Sequence, residues 1–410
     1  MYDFANSGYT TVVITAVFNA YFVAVVAGNA PWATFAWTAA LAVSYALIML
    51  TAPLVGAYAD THAAKKRLLL FTTIGCVLFT AGLALVGRGD VVLGVVLVVL
   101  SNFFFGTGEN LIAAFLPELA RGEALGKVSG WGWSLGYCGG LVALGACLAY
   151  VTHAEARGAT AEEFVPATML ITAALFALAS LPTFLFLRER AQPVAVADGI
   201  VSSAFARVAE TLGQARRYTD LWRFLVCVVF YQAGIQTVIA LAAVYAQEVM
   251  SFTTRDTITL ILVVNVTAAV GAFAFGHVQD RLGHERTLVL TLCGWLLAVV
   301  LAWMAESAAM FWVVANLVGV CLGSSQSAGR ALVGYLSPPA RTAEFFGLWG
   351  LAVKFSAILG PMTYGLVTWI TLGNHRLAML VTGVFFVIGI GILARLDVAR
   401  GRAAAVQYGE

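Results

Sequence analysis

Charge is what this chain has least of. Lys, Arg, Asp and Glu make up 11% of its 410 residues and apolar types 61%, against roughly 25% and 45–50% in soluble domains. A soluble chain of this length needs far more charge to cover its surface, so a soluble globular fold is excluded. A net charge of +2 and the lack of any long basic run argue against a nucleic-acid partner. Six cysteines, Cys76, Cys138, Cys147, Cys227, Cys293 and Cys321, all fall in apolar stretches without metal-pair spacing. They read as small packing residues, and no metal site is expected. No His-Glu-x-x-His and no paired acidic motif occurs, so an enzyme is not expected. Gly106-x-Gly108 sits inside an apolar span with no strand before it, and is no nucleotide fingerprint. No cofactor is implied, and without a nucleotide-binding domain any pumping must draw on protons or another ion gradient. A cleavable signal is not expected either, because the apolar stretch from Phe4 is long enough to stay as a span.

What the chain does have is apolar length. A membrane span needs about 20 apolar residues, and twelve such segments lie near 4–27, 34–58, 67–87, 91–116, 127–151, 164–187, 220–246, 257–278, 287–304, 309–336, 344–370 and 376–395. A single offset of 220 positions relates the halves. It carries Gly56-x-x-x-Asp60 onto Gly276-x-x-x-Asp280, and Phe115-Leu-x-x-x-Ala-Arg121 onto Tyr335-Leu-x-x-x-Ala-Arg341. It also carries Gly130 onto Gly350 and Gly140 onto Gly360. The expected fold is an all-α membrane protein whose twelve transmembrane helices form two pseudo-twofold-related six-helix bundles, which rock around a central site. Residues 1–187 are read as the first bundle, 188–219 as a cytoplasmic linker, part of it a surface helix, 220–396 as the second bundle and 397–410 as a cytoplasmic tail. With the N-terminus inside, seventeen of the 23 Lys and Arg fall on the cytoplasmic side and four outside, namely Arg88, Arg157, Arg255 and Arg376. That excess places both termini in the cytoplasm, in a cell (inner) membrane.

Ionisable residues at membrane depth are costly, at least about 2.5–3.5 kcal/mol each on insertion scales, and so mark candidate sites. Lys354 lies ten residues past Glu344, roughly 15 Å of helix, near the bilayer middle. Glu109 in the fourth span lies about two turns from the cytoplasmic end of its helix, and Arg330 in the tenth lies at a depth similar to that of Glu109. The 220 offset pairs Arg330 with Asn110, so the halves carry opposite charges at neighbouring positions. Two readings stand side by side. In one, Lys354 and Arg330 anchor a substrate carboxylate while Glu109 receives an amino group or carries the coupling proton. In the other, Glu109 and Arg330 form an internal salt bridge that closes a gate. Asp3 at the opening of the first span is either part of the site or a helix N-cap. Asn6, Tyr9 and Thr10 recur at helical spacing as a cavity-lining face would. Tyr231, Gln232 and Gln236 in the seventh span and Gln326 in the tenth offer further hydrogen-bonding groups.

Twelve spans, a duplicated half and Gly-x-x-x-Asp followed by basic residues (Lys65, Lys66 and Arg67; Arg281 and Arg286) resemble the major facilitator superfamily over essentially the whole chain. Tyr2-Asp3-Phe4-Ala5-Asn6-Ser7, Ser325-x-Ser327-x-x-Arg330-Ala-Leu, Glu344-Phe-Phe-Gly-Leu, Lys354 and Gly360-Pro361 resemble its vacuole-effluxer-like branch. That branch is kin of the fungal autophagy-related vacuolar amino-acid exporter. Almost nothing precedes Tyr2, where members of the branch carry a leader, and whether the native start lies upstream of Met1 stays open. The resemblance implies that helices 1, 4, 7 and 10 line a central cavity, with helix 11 contributing from one side. It also implies that the motif around Gly56, Asp60 and Arg67, with its repeat around Gly276, Asp280, Arg281 and Arg286, latches the halves together on the cytoplasmic side. The plain alternative is that these carboxylates pair only with nearby Lys and Arg. The second copy keeps the fuller motif, so Asp280 is expected to hold more firmly than Asp60. Gly132-x-x-x-Gly136-x-x-Gly139-Gly140 is similar to an exporter motif, with Tyr137 where proline is usual, although such spacing also serves plain packing.

The implied function is secondary transport of a small polar organic solute, an amino acid or short peptide, by alternating access with proton coupling. The expected protein is a monomer in a lipid bilayer. Efflux of amphipathic drug-like compounds and a non-transporting sensor or scaffold are the alternatives.

Overall fold

The computed structural model describes residues 1–120, 124–190, 218–252 and 254–407, and among these it contains helices and no strand. Twelve helices are long and apolar enough to cross a membrane. In chain order they are α1 (Tyr2–Val26), α2 (Ala36–Thr61), α3 (Lys65–Leu85), α4 (Val91–Leu119), α5 (Ala124–Glu155), α6 (Ala161–Phe186), α7 (Thr219–Ala242), α8 (Thr259–Leu282), α9 (His284–Met304), α10 (Ala308–Leu336), α11 (Pro339–Ile370) and α12 (His375–Leu393). Each lies within a few residues of a span read from the sequence. Helix is what hydrocarbon permits, since it satisfies every backbone N–H and C=O within one segment. Polar caps start several spans: Thr160 and Glu163 form a capping box at α6, Ser307 accepts from the Met310 amide at α10, and Asn374 accepts from the Leu377 amide at α12. α1 departs from regular geometry, with π-helical turns over Thr10–Ala16 and Phe22–Val26.

Close backbone contacts reproduce the twofold. Within the bundles, a Cβ on Gly140 would meet Thr11 of α1 at 2.8 Å, and one on its repeat partner Gly360 would meet Thr237 of α7. Between the bundles, a Cβ on Gly56 would lie 2.6 Å from the Ala343 carbonyl carbon of α11. One on Gly276 would lie 3.1 Å from Gly130 Cα of α5. The α2–α11 and α8–α5 seams are thus the same contact in two copies, and only glycine allows backbones this close.

Residues 191–217 of the expected linker lie outside the described residues, as do 408–410 of the expected tail. The tail's remainder forms α13 (Val398–Gln407). It docks beneath the second bundle: Arg400 donates to both Asp220 oxygens at 2.7 and 2.8 Å, and Arg402 donates to the Tyr335 carbonyl at 2.9 Å. Met1 and α13 mark one face of the protein, the terminal face.

Candidate functional site

Arg330–Asp3 and Lys354–Glu109 are ion pairs that cross between the bundles among the described residues, and neither is the pair read from the sequence. Arg330 of α10 does not meet Glu109. Its Nη1 donates to both carboxylate oxygens of Asp3, each at 3.0 Å. Its Nε donates to Ser129 Oγ at 3.1 Å and its Nη2 to the Ser129 carbonyl at 2.9 Å. The guanidinium also stacks 5.4 Å from the Trp133 ring, and Ser129 Oγ donates to the Ser327 carbonyl at 2.9 Å. Asp3 is therefore not an N-cap: no side-chain cap bond starts α1, because the carboxylate is taken by arginine. The side chains of Arg330 and Asp3 are 8% and 22% exposed. The physical reason for the repartnering is donor geometry. A buried guanidinium needs several acceptors in its plane, and α1 with the α5 backbone supplies them.

Lys354 of α11 pairs with Glu109 of α4 at 3.4 Å, and its ammonium lies 5.2 Å over the Tyr45 ring of α2. The lysine therefore has a carboxylate partner in the opposite bundle. This pair is looser than the first: one long contact, with Glu109 30% and Lys354 12% exposed. Lys354 stands twelve residues beyond the helix start at Thr342, roughly 18 Å along the axis.

The remaining candidates divide. Asn110 packs against Gly350 of α11, and its Nδ2 has no hydrogen-bond partner among the described residues. Asn6 is buried and its Oδ1 is likewise unpaired. Thr10 is exposed; its hydroxyl donates to the Asn6 carbonyl at 3.3 Å, and its carbonyl accepts from the Thr15 hydroxyl at 3.1 Å. Tyr9 turns into the first bundle, where it bonds Ser101 at 2.8 Å and stacks on Phe105. Tyr231 is fully buried against Gly329 and Gly389. Gln232 donates to Gln326 at 2.8 Å, which joins α7 to α10 inside the second bundle. Gln236 is half-buried.

At the terminal face each loop carboxylate meets the start of a helix in the other bundle. Asp60 accepts from the Glu344 amide of α11 at 2.9 Å, and Asp280 accepts from the Lys127 amide of α5 at 3.1 Å. Helix N-termini favour such anions. Asp60 also pairs with Lys65 at 3.2 Å, and Lys65 pairs with Glu118 at 3.0 Å with only 1% of its side chain exposed. Amide contact and local pairing therefore coexist at Asp60. Burial reverses the expected order: Asp60 is buried while Asp280 is half-buried. Arg67, Arg281 and Arg286 are exposed. An apolar layer of Leu116, Ala120 and Leu125 against Ala331 closes the same level. All these joining contacts sit between the terminal face and the depth of Lys354.

Ser129, Tyr45 and Glu118 are partners that sequence reasoning missed. A lone serine beside a glycine, a lone tyrosine in an apolar run and a loop glutamate carry no periodic signal, so only proximity in space reveals them. A cavity with a wholly apolar wall lies elsewhere, inside the second bundle, lined by residues that include Tyr245, Val264, Trp295, Phe311 and Met379.

Comparison with known proteins bears on this geometry. The profile of the family described as "Vacuole effluxer Atg22 like" matches residues 19–406. The "Uncharacterized MFS-type transporter YxiO" of Bacillus subtilis is 27% identical over 399 residues, covering 96% of this chain and 92% of that protein. "Autophagy-related protein 22" of Cryptococcus neoformans is 28% identical over 228 residues, covering 51% of this chain and 42% of that one. Among solved structures, the human organic anion transporter MFSD10 superposes with a TM-score of 0.73 at 14% identity, covering 96% of this chain and 97% of its own. That likeness establishes the shared fold.

Proposed function

The chain belongs to the Atg22-like vacuole effluxer family, a family of transporters and not of enzymes, and on that premise we propose that it moves a small zwitterionic solute, an amino acid or short peptide, by alternating access. The observation that carries this reading is the contrast between the two ion pairs. Arg330 has its donors engaged by Asp3 and Ser129, so it serves as a strut of the closed gate. Lys354 has one contact of 3.4 Å to a partly exposed carboxylate. A zwitterion replaces that contact on both sides at once: its carboxylate takes the ammonium of Lys354 and its amino group takes Glu109, while Tyr45 offers a ring face to a cation. The unpaired Asn6 Oδ1 and Asn110 Nδ2 are further groups for the ligand, since buried polar groups seek partners.

With the basic loops and both termini read as cytoplasmic from the excess of Lys and Arg, the closed terminal face corresponds to an outward-open state. In this reading protons are the coupling ion, with Glu109 as the carboxylate that carries them. Asp60 and Asp280 hold the terminal face shut.

A thermal-shift screen of amino acids and short peptides on the purified protein tests the reading, because a ligand that binds only the folded state raises Tm. Hits are expected among zwitterions, and Lys354→Ala is expected to abolish them. The apolar cavity of the second bundle favours a second reading, efflux of amphipathic compounds. Hits confined to lipophilic cations, indifferent to Lys354→Ala, select it instead.

A further inference from the structure

The helix α3 begins at the buried Lys65, yet its N-cap is Ala64, which offers no side-chain cap. The cap comes from 124 residues away. The segment leaving α6 turns back over the α2–α3 corner, and Glu189 accepts the Lys65 amide at 2.8 Å on one oxygen and the Lys66 amide at 3.1 Å on the other. Two more bonds stitch the same segment down: Lys66 Nζ donates to the Leu187 carbonyl at 2.6 Å, and the Arg190 amide donates to Glu118 at 2.8 Å. Glu118 spends its other oxygen on Lys65 Nζ, and Lys65 Nζ reaches Asp60, whose second oxygen accepts from Glu344 of the opposite bundle.

We propose that Glu189 is a positioning residue for the contact that closes the terminal face. By capping α3 it fixes Lys65 where the ammonium holds the Asp60 carboxylate toward the Glu344 amide, so the first residues after the first bundle stand in series with the gate. The inference rests on the reading that Asp60 helps to keep that face closed. Physically, a carboxylate across two first-turn amides satisfies orphan donors and complements the helix dipole. Its removal frays the turn that carries Lys65. Asp60 then keeps its charge but loses the orientation that aims it at α11.

The test uses the full chain in liposomes, without its six cysteines and with Ala331→Cys as reporter. Ala331 is fully buried in the apolar layer between the bundles, so a water-soluble maleimide on the terminal side reaches it only when that face opens. Glu189→Gln, which keeps one good acceptor, is expected to speed alkylation about threefold, and Glu189→Ala about tenfold, the range of a lost cap. Added to Asp60→Ala, either variant is expected to bring no further increase, because residues acting through one contact are not additive. A rate unchanged by both Glu189 variants overturns the proposal. So does an equal increase in the presence and absence of Asp60, which reduces Glu189 to a stabiliser of α3. Asp60→Ala alone leaving the rate unchanged sinks instead the reading of Asp60 as a gate contact. If Glu189→Ala does not fold, Glu189→Gln carries the comparison.

Discussion

Replacing Asp60 with alanine is the sharpest perturbation available. In the structure its carboxylate accepts from Glu344 across the bundle interface at 2.9 Å, while its pairing with Lys65 stays within one bundle. Only the first interaction is lost when the bundles part on that side, so only it biases the equilibrium. A hydrogen bond to a charged group contributes about 1.5–3 kcal/mol. Its removal therefore multiplies the open-to-closed ratio by about 10–150. Asp60→Asn keeps a neutral acceptor and should fall between wild type and alanine, since charge assistance roughly doubles such a bond. Asp280 is half-buried with a longer 3.1 Å contact, so Asp280→Ala should give the smaller increase, at most about 10-fold. Alkylation of Ala331→Cys from the terminal side reads the ratio directly. Equal rates in wild type and both alanine variants, with Tm showing intact folding, would refute the reasoning that these carboxylates hold the face closed.

Three further outcomes follow from the same geometry. Gly56→Ala should speed alkylation as Asp60→Ala does, because the added Cβ meets Ala343 and Glu344 backbone, at 2.6 Å from the Ala343 carbonyl carbon, that cannot move aside; Gly365→Ala, with nothing within 4 Å, should not. Asp3→Asn should lower stability by about 3 kcal/mol, the lower end for breaking a buried pair, because Arg330 retains Ser129. Pairing it with Arg330→Met should recover most of the loss in a Tm measurement, and no recovery would remove the strut reading of that pair. Exchanging the charges with Glu109→Lys and Lys354→Glu should preserve folding yet fail to restore ligand-induced Tm shifts or uptake driven by a pH gradient in liposomes. Full recovery of both would make the pair structural.

Much of the architecture was legible in order along the chain. Twelve apolar runs of spanning length, an excess of Lys and Arg in alternate loops, and a repeat at one fixed offset are properties of sequence alone. Hydrocarbon leaves a run of that length a single backbone solution. The Gly56 and Gly276 motifs were readable for a related reason, since a glycine followed four residues later by a loop aspartate marks a close crossing with an anion at its edge. The linker was legible only as a polar stretch. That its opening Glu189 caps α3 is a relation between residues 124 apart, with no local signature.

Partnership lay beyond what the order of residues encodes. The sequence exposed Asp3, Glu109, Arg330 and Lys354 as ionisable groups in an apolar setting, because their cost there is intrinsic to each residue. It could not say who meets whom, and the natural guess of Glu109 with Arg330 was replaced by Asp3 with Arg330 and Glu109 with Lys354. A buried charge takes the partner whose donors and acceptors fit its geometry, and that depends on which helix faces which. Packing of α1 and α5 against α10, and of α4 against α11, made that choice, which composition and spacing along one chain do not encode.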